Sequence, residues 1–271
     1  MIFKDYLIAI DLDGTLIANF DEADKKSLRY LKKLAKTNTV VIATGRPLRS
    51  SKYYYNLMKL KTPIINYNGA LIQNPYDQSF PKYSIKIDKA LLINFVIDNN
   101  DIIHTLFCEI DDDIYLDRNF DYAYPYLHTE GGNLITGSIS KTLLDDPNGA
   151  VVFAKAGSEE RLIKYAQANF NEKIKIRIWH TKDIVIAELH NPLINKGNAL
   201  KKVCDYYSIA HDKTIAIGDG NNDLEMIKFA KYGVAMANAV PELIEIANYK
   251  TKSIDENGVF HFLKNFKDFQ K

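Results

Sequence analysis

Asp11 and Asp13 stand two residues apart in Asp11-Leu12-Asp13-Gly14-Thr15, directly after the apolar run Tyr6–Ile10. If the period of a strand continues through them, both carboxylates project to one side, because side chains i and i+2 share a face. Two carboxylates held together are costly unless a cation or a shared proton relieves them. A second acid cluster, Gly218-Asp219-Gly220-Asn221-Asn222-Asp223, follows another apolar run, Thr214–Ile217. A third such run, Thr39–Ala43, ends in Thr44-Gly45-Arg46, a hydroxyl and backbone amides near a helix start, suited to an anion. Taken together, hard oxygen ligands point to Mg²⁺ rather than zinc or copper. Carboxylates around Mg²⁺ with a hydroxyl and a lysine nearby point to a phosphoryl group as the bound anion. GDGNND breaks the dinucleotide-binding fingerprint at Asp223, and no GxxxxGK[ST] occurs.

These residues need a scaffold that brings them to one edge. Tyr6–Ile10, Thr39–Ala43 and Pro63–Tyr67 read as buried strands, alternating with amphipathic helices after Asp21, a potential N-cap, and near Leu48–Leu60. Asn68-Gly69 marks a turn. Strand–helix alternation of this kind builds a parallel sheet, and ligands bind outside the carboxyl ends of its strands. Asp11, Asp13, Thr44, Asn68, Asp219, Asn222 and Asp223 all fall there. From about Tyr83 the rhythm changes. A helix over Lys89–Asn99, a hairpin of Ile102–Ile110 and Ile114–Asp117, and strands at Ala150–Ala156, Lys173–His180 and Asp183–His190 around a helix over Ser158–Phe170 make an α+β block. The alternating KIKIRIW predicts a sheet with one solvated face. The α/β pattern returns with a helix at Asn198–Tyr207, the strand Thr214–Ile217, a helix at Leu224–Ala230 and Tyr232–Ala237. The chain therefore reads as an α/β domain of residues 1–84 and 191–271, interrupted by an α+β module of residues 85–190.

The 271 residues carry 35 Lys+Arg against 34 Asp+Glu, a formal charge of +1, which gives no overall field to draw nucleic acid or an anionic membrane. No apolar run approaches the roughly 20 residues of a membrane span, and the stretch MIFKDYLIAIDLDG, closed by acids, is not expected to act as a signal peptide. Cys108 and Cys204 form no CxxC and suit buried positions in a reducing cytoplasm. None of the six histidines shows metal-ligand pairing.

DLDGTL, ATGR, Asn195-Lys196-Gly197 and GDGNND occur in an order that resembles the haloacid dehalogenase superfamily of aspartyl phosphatases. The block inserted between ATGR and NKG is similar to the large α/β cap (type C2B) of its Cof-type, subclass IIB branch. The resemblance implies a Rossmann-like parallel-sheet core and Mg²⁺-dependent hydrolysis of small phosphomonoesters such as a sugar phosphate, nucleotide or cofactor phosphate. It makes Asp11 the nucleophile, Asp13 the general acid and base, and Thr44, Gly45, Lys196 and Asn222 the phosphate contacts. Mg²⁺ falls to Asp11, Asp13 through its main-chain carbonyl, Asp219 and Asp223, the last as ligand or support. Arg46 is expected near the substrate's phosphate. The inserted module is expected to choose the substrate, with Asp121–Thr129 and Trp179–Lys182 as candidate contacts. A phosphomutase, in which a sugar replaces water as acceptor, shares the nucleophile. A phosphometabolite-binding regulator shares the fold but has no use for Asp13 as an acid.

Overall fold

A computed structural model of the chain describes residues 3–18, 22–179, 181 and 183–269. The chain divides into two compact units, one of Met1–Arg46, Ser51–Tyr83 and Asn195–Lys271, the other of Pro47–Ser50 and Ser84–Ile194.

The first unit is built on a five-stranded, wholly parallel sheet in the order Tyr249–Lys250, Tyr232–Ala235, Thr214–Gly218, Leu7–Ile10, Thr39–Ile42. Its central strands LIAI and TIAIG are buried throughout, as unbroken apolar runs covered on both faces should be. Each fully buried Leu or Ile contributes about 1.5–3 kcal/mol over its exposed state. Ile64–Asn66 departs from the simple alternation. It touches this sheet through the Ala43–Ile65 bridge and pairs antiparallel with Leu71–Gln73, because Tyr67-Asn68-Gly69 reverses the chain at once.

Helix Lys25–Leu34 buries Ser27, Leu28, Leu31 and Leu34 and turns its lysines outward. Asp21 lies outside the described residues; the N-cap is Asp24, whose Oδ1 accepts from the backbone of Lys26 and Ser27, each at 3.0 Å. Such a cap contributes about 1 kcal/mol. Helix Lys196–Tyr207 begins two residues before the expected Asn198, because the Asn195 side chain caps it by accepting from Asn198 N, 2.7 Å away. Lys196 is thereby the first helical residue. Helices Pro241–Ile246 and Gly258–Lys264, too short for a clear periodic signal, complete the unit.

The second unit is a six-stranded sheet in the order Asn133–Thr136, Asp113–Leu116, Ile103–Ile110, Ala150–Lys155, Ile184–His190, Lys175–Trp179, antiparallel except for its first pair. Neighbouring residues feed opposite faces, as a period of two demands. Leu106, Val152 and Val185 join Phe95, Leu162 and Phe170 on the face packed with helices Lys89–Asp98 and Glu159–Asn169. Phe107, Phe153 and Ile186 join Ala123 and Leu127 on the other. The expected solvated face holds at the edge strand, where Lys175 is exposed and Ile176 and Ile178 turn to the core, but not at the sheet's centre, which the segment around Ala123–Leu127 covers. Cys108 and Cys204 are buried free thiols, and no described helix is long and apolar enough to cross a membrane.

Candidate active site

All five strands of the parallel sheet run the same way, so the loops after Ile10, Ile42 and Gly218 leave by one edge. Asp11 follows its strand and is 4% exposed, while its backbone N–H donates to Ile217 O at 3.1 Å. Asp11, Asp219 and Asp223 place carboxylate oxygens within 4.8 Å of one another. Lys196 is fully buried beside them. Its Nζ donates to Asp11 Oδ1 at 2.6 Å and to Asp223 Oδ1 at 2.7 Å. A lysine in the first turn of a helix opposes the helix dipole, and these two carboxylates offset that cost. The second oxygen of Asp223 accepts from the backbone of Asp219 and Gly220 at 2.9 and 3.0 Å. Asp223 thus ties the acid loop into a ring and does not cap the helix that follows it.

Electrostatics at this edge are unbalanced, with three acids against one ammonium. Burial pushes the Asp11 carboxyl well above the usual range, against the pull of Lys196, and Asp223 and Asp219 add to the rise. Burial also raises Asp219 to about 7, opposed by the hydrogen bond that Thr15 Oγ1 donates to its Oδ1 at 2.7 Å. For Lys196 burial disfavours the charge, but Asp11 and Asp223 outweigh it and hold the ammonium above its ordinary pKa. A divalent cation among these carboxylates would oppose the burial that raises Asp11 and Asp219. The all-oxygen donor set fits a hard ion such as Mg²⁺.

Asp13 lies just beyond the strand, which ends at Ile10, and is bridged to Ile17; it is near enough to Asp219 to add to the rise of that carboxyl. The Asp13 side chain is 51% exposed and is held by Arg46, at 2.8 Å from Nε and 2.5 Å from a terminal nitrogen. Its carboxylate lies outside the acidic trio, and Arg46, expected at the substrate's phosphate, is engaged with Asp13. Thr44 is fully buried, and its Oγ1 accepts the Arg46 N–H at 3.1 Å, fixing the turn. Gly45 lies against Asn68, whose Oδ1 accepts from Asn222 Nδ2 at 2.9 Å.

Two contributors, Thr15 and Asn238, had little signal in the sequence. Thr15 reads as a turn residue until Asp219 is beside it. Asn238 donates from Nδ2 to Gly14 O at 2.8 Å and accepts from Ile254 N at 3.1 Å, tying the first loop to the C-terminal segment. Gly14, at φ +81°, carries the tightest constraint: a Cβ there would lie 2.0 Å from Asp219 Oδ2. Within the second unit, Asp121–Ala123 is a 3₁₀ turn leading into the short helix Tyr124–Leu127, and the Tyr126 and Trp179 rings lie 6.1 Å apart. His180 and Lys182 lie outside the described residues.

Residues 8–263 match the family model of haloacid dehalogenase-like hydrolases. The 5-amino-6-(5-phospho-D-ribitylamino)uracil phosphatase YitU of Bacillus subtilis is 34% identical over 265 residues, covering 97% of this chain and 98% of that one. A second Bacillus subtilis phosphatase of the same name, YwtE, is 29% identical over 281 residues, covering 94% and 96%. A haloacid dehalogenase-like hydrolase from Bacteroides thetaiotaomicron has the same fold, with a TM-score of 0.81 at 24% identity over 96% of this chain and 99% of that one. The chain belongs to the haloacid dehalogenase-like hydrolases and is an enzyme of their phosphatase kind.

Proposed function

We propose that this chain hydrolyses small phosphomonoesters with Mg²⁺ through an aspartyl-phosphate on Asp11. The observation that carries the reading is the buried Lys196 joining Asp11 to Asp223 beside Asp219. An Asp11 oxygen attacks phosphorus as the bond to the leaving oxygen breaks, and Asp13 gives that oxygen its proton. Asp13 then takes a proton from water, the water oxygen attacks phosphorus, and Asp11 and inorganic phosphate are released. Asp13 is suited to both transfers by its exposure, and Arg46 restrains its swing. Lys196 holds positive charge at Asp11 without being able to leave, so part of the charge that builds on the phosphoryl oxygens meets a fixed ammonium. Thr44, Gly45 and Asn222 are the remaining phosphoryl contacts in this reading. Asp11, Asp219 and the Asp13 carbonyl would hold Mg²⁺, with Asp223 in support, and the ion would supply Lewis-acid stabilisation of the same charge.

We assign catalysis to the parallel-sheet unit and substrate choice to the unit of Ser84–Ile194. The first substrate to try is 5-amino-6-(5-phospho-D-ribitylamino)uracil, on which two relatives are named. A cytoplasmic setting accords with two buried, reduced cysteines. The test is phosphate release from p-nitrophenyl phosphate, from that uracil derivative and from a panel of sugar phosphates, nucleotides and cofactor phosphates, with and without Mg²⁺. Mg²⁺-dependent release that Asp11→Asn abolishes is expected. Release that survives Asp11→Asn refutes the covalent route, and phosphate transferred to a sugar in place of water makes the enzyme a mutase.

A further inference from the structure

Tyr67, Asn68 and Gly69 have φ values of +50°, +55° and +105°, three successive left-handed residues. Only glycine takes this region freely, asparagine tolerates it, and tyrosine resists it. The surroundings hold the turn. Asn68 N–H donates to Thr44 O at 3.0 Å, and Arg46 O accepts from Tyr67 N–H at 3.4 Å and from Asn66 Nδ2 at 2.9 Å. On the other side the turn abuts the start of the lysine helix, where a Cβ on Gly69 would come within 2.6 Å of Asn195 O. The same short segment is therefore clamped to the Thr44–Arg46 loop and to the residue before Lys196.

Asn68's side chain adds a third link. Its Oδ1 accepts from Asn222 Nδ2, and it lies 3.2 Å from the position a Cβ on Gly45 would take. A carboxamide presents N–H donors on one side and an oxygen on the other, and a half-turn exchanges them. An acceptor fixed on one N–H of Asn222 removes that choice, so its second N–H points in one direction. Without it, Asn222 can present its oxygen to an anion, which repels.

We propose that Asn68 is a positioning residue. Through Asn222 and Gly45 it fixes the donors that receive the phosphoryl group, and its left-handed turn makes that placement rigid. This rests on the phosphatase reading above. It acts through another residue, so its removal costs affinity for phosphate as well as turnover.

Asn68→Gly is the sharpest variant, because glycine keeps the left-handed backbone and deletes only the carboxamide. With p-nitrophenyl phosphate and Mg²⁺, Asn68→Gly and Asn222→Ala are each expected to lower kcat/KM on the order of tenfold to a hundredfold. Each should raise the inhibition constant of inorganic phosphate by a similar factor with Tm unchanged. Combined, they should cost less than the product of the two single effects, since part of what Asn68 does passes through Asn222. Should the glycine variant fail to fold, Asn68→Asp carries the test. It keeps the acceptor and the shape, so it is read beside Asn68→Ala, which deletes the carboxamide at a modest backbone cost and is expected to raise the inhibition constant about tenfold. The proposal is overturned if phosphate inhibition and kcat/KM stay within about twofold of wild type, or if the Asn68→Gly and Asn222→Ala effects multiply. A wild-type enzyme that neither hydrolyses p-nitrophenyl phosphate nor binds inorganic phosphate with Mg²⁺ sinks the phosphatase reading itself, a different failure from an active wild type with an indifferent Asn68→Gly.

Discussion

The two sheets of this chain solve the same packing problem and leave opposite edges. In the parallel sheet every strand ends at the same side, so the loops after Ile10, Ile42 and Gly218 converge and their polar residues have to be neutralised together. In the mixed sheet of the second unit neighbouring strands mostly end at opposite sides, and polar residues disperse. Its ion pairs Arg161–Asp101 and Lys86–Asp145 sit in solvent, where they need no partner to survive, whereas Arg49–Glu109 is buried but sets one charge against one. Lys196, Asp11 and Asp223 are buried and cannot do without one another. Among the described residues the only cluster of three metal-competent side chains is at the convergent edge. Topology concentrates the chemistry before any particular residue is chosen.

The strongest way to break this comparison is chemical. Asp11→Asn removes the nucleophile of the proposed reaction while keeping the side chain's size, and phosphate release should fall by about a thousandfold or more, with the far-ultraviolet circular dichroism unchanged. Next comes the cost of unpairing buried charge. Lys196→Met strands Asp11 and Asp223 without their ammonium, a loss of roughly 3–5 kcal/mol that thermal unfolding should register as a fall in Tm on the order of 10 °C. A Tm that stays put would mean the edge is wetter than its burial implies. Asp219→Asn removes one carboxylate and should raise the Mg²⁺ concentration for half-maximal activity by roughly 10–100-fold or more, read from a titration at fixed substrate.

A smaller effect belongs to the second unit. His190 has its pKa lowered by burial, against Glu188, which favours its charge, and with Arg177 and Lys175, which oppose it. The unfolded chain therefore binds the proton more tightly, so stability is full above the unfolded value of about 6.5 and is lost as pH falls toward the folded one. Wild type should lose more Tm between pH 7 and pH 5 than His190→Gln, and parallel curves would remove His190 from the account. Smallest of all, Arg161→Ala breaks an exposed pair and should leave Tm unchanged within error.

Much of this layout was legible in the residues themselves. Short unbroken apolar runs such as YLIAI and TVVIA, closed by turn residues, read as strands covered on both sides, and their polar followers mark the edge. The acids at 11, 219 and 223 and the lysine at 196 could each be named from short motifs. Who pairs with whom could not. Nothing in the spacing of Asp11 and Asp13 announces that Arg46 holds the second of them. Long-range bonds such as Thr15 to Asp219 and Asn238 to Gly14 leave no local pattern, because their partners are set by topology and not by spacing. The two-residue strand Tyr249–Lys250 is too short for any period to reveal.

Gly14 gives the site an unusual kind of heredity. The space that a side chain at 14 would need is filled by the carboxylate of Asp219, from a segment 204 residues away from its hydrogen-bond partner Thr15. Neither loop can then be exchanged alone. A chimaera that imports the first loop from a relative must import the loop after Thr214–Gly218 with it, so the two segments form a single transplantable part that the linear sequence writes in two places.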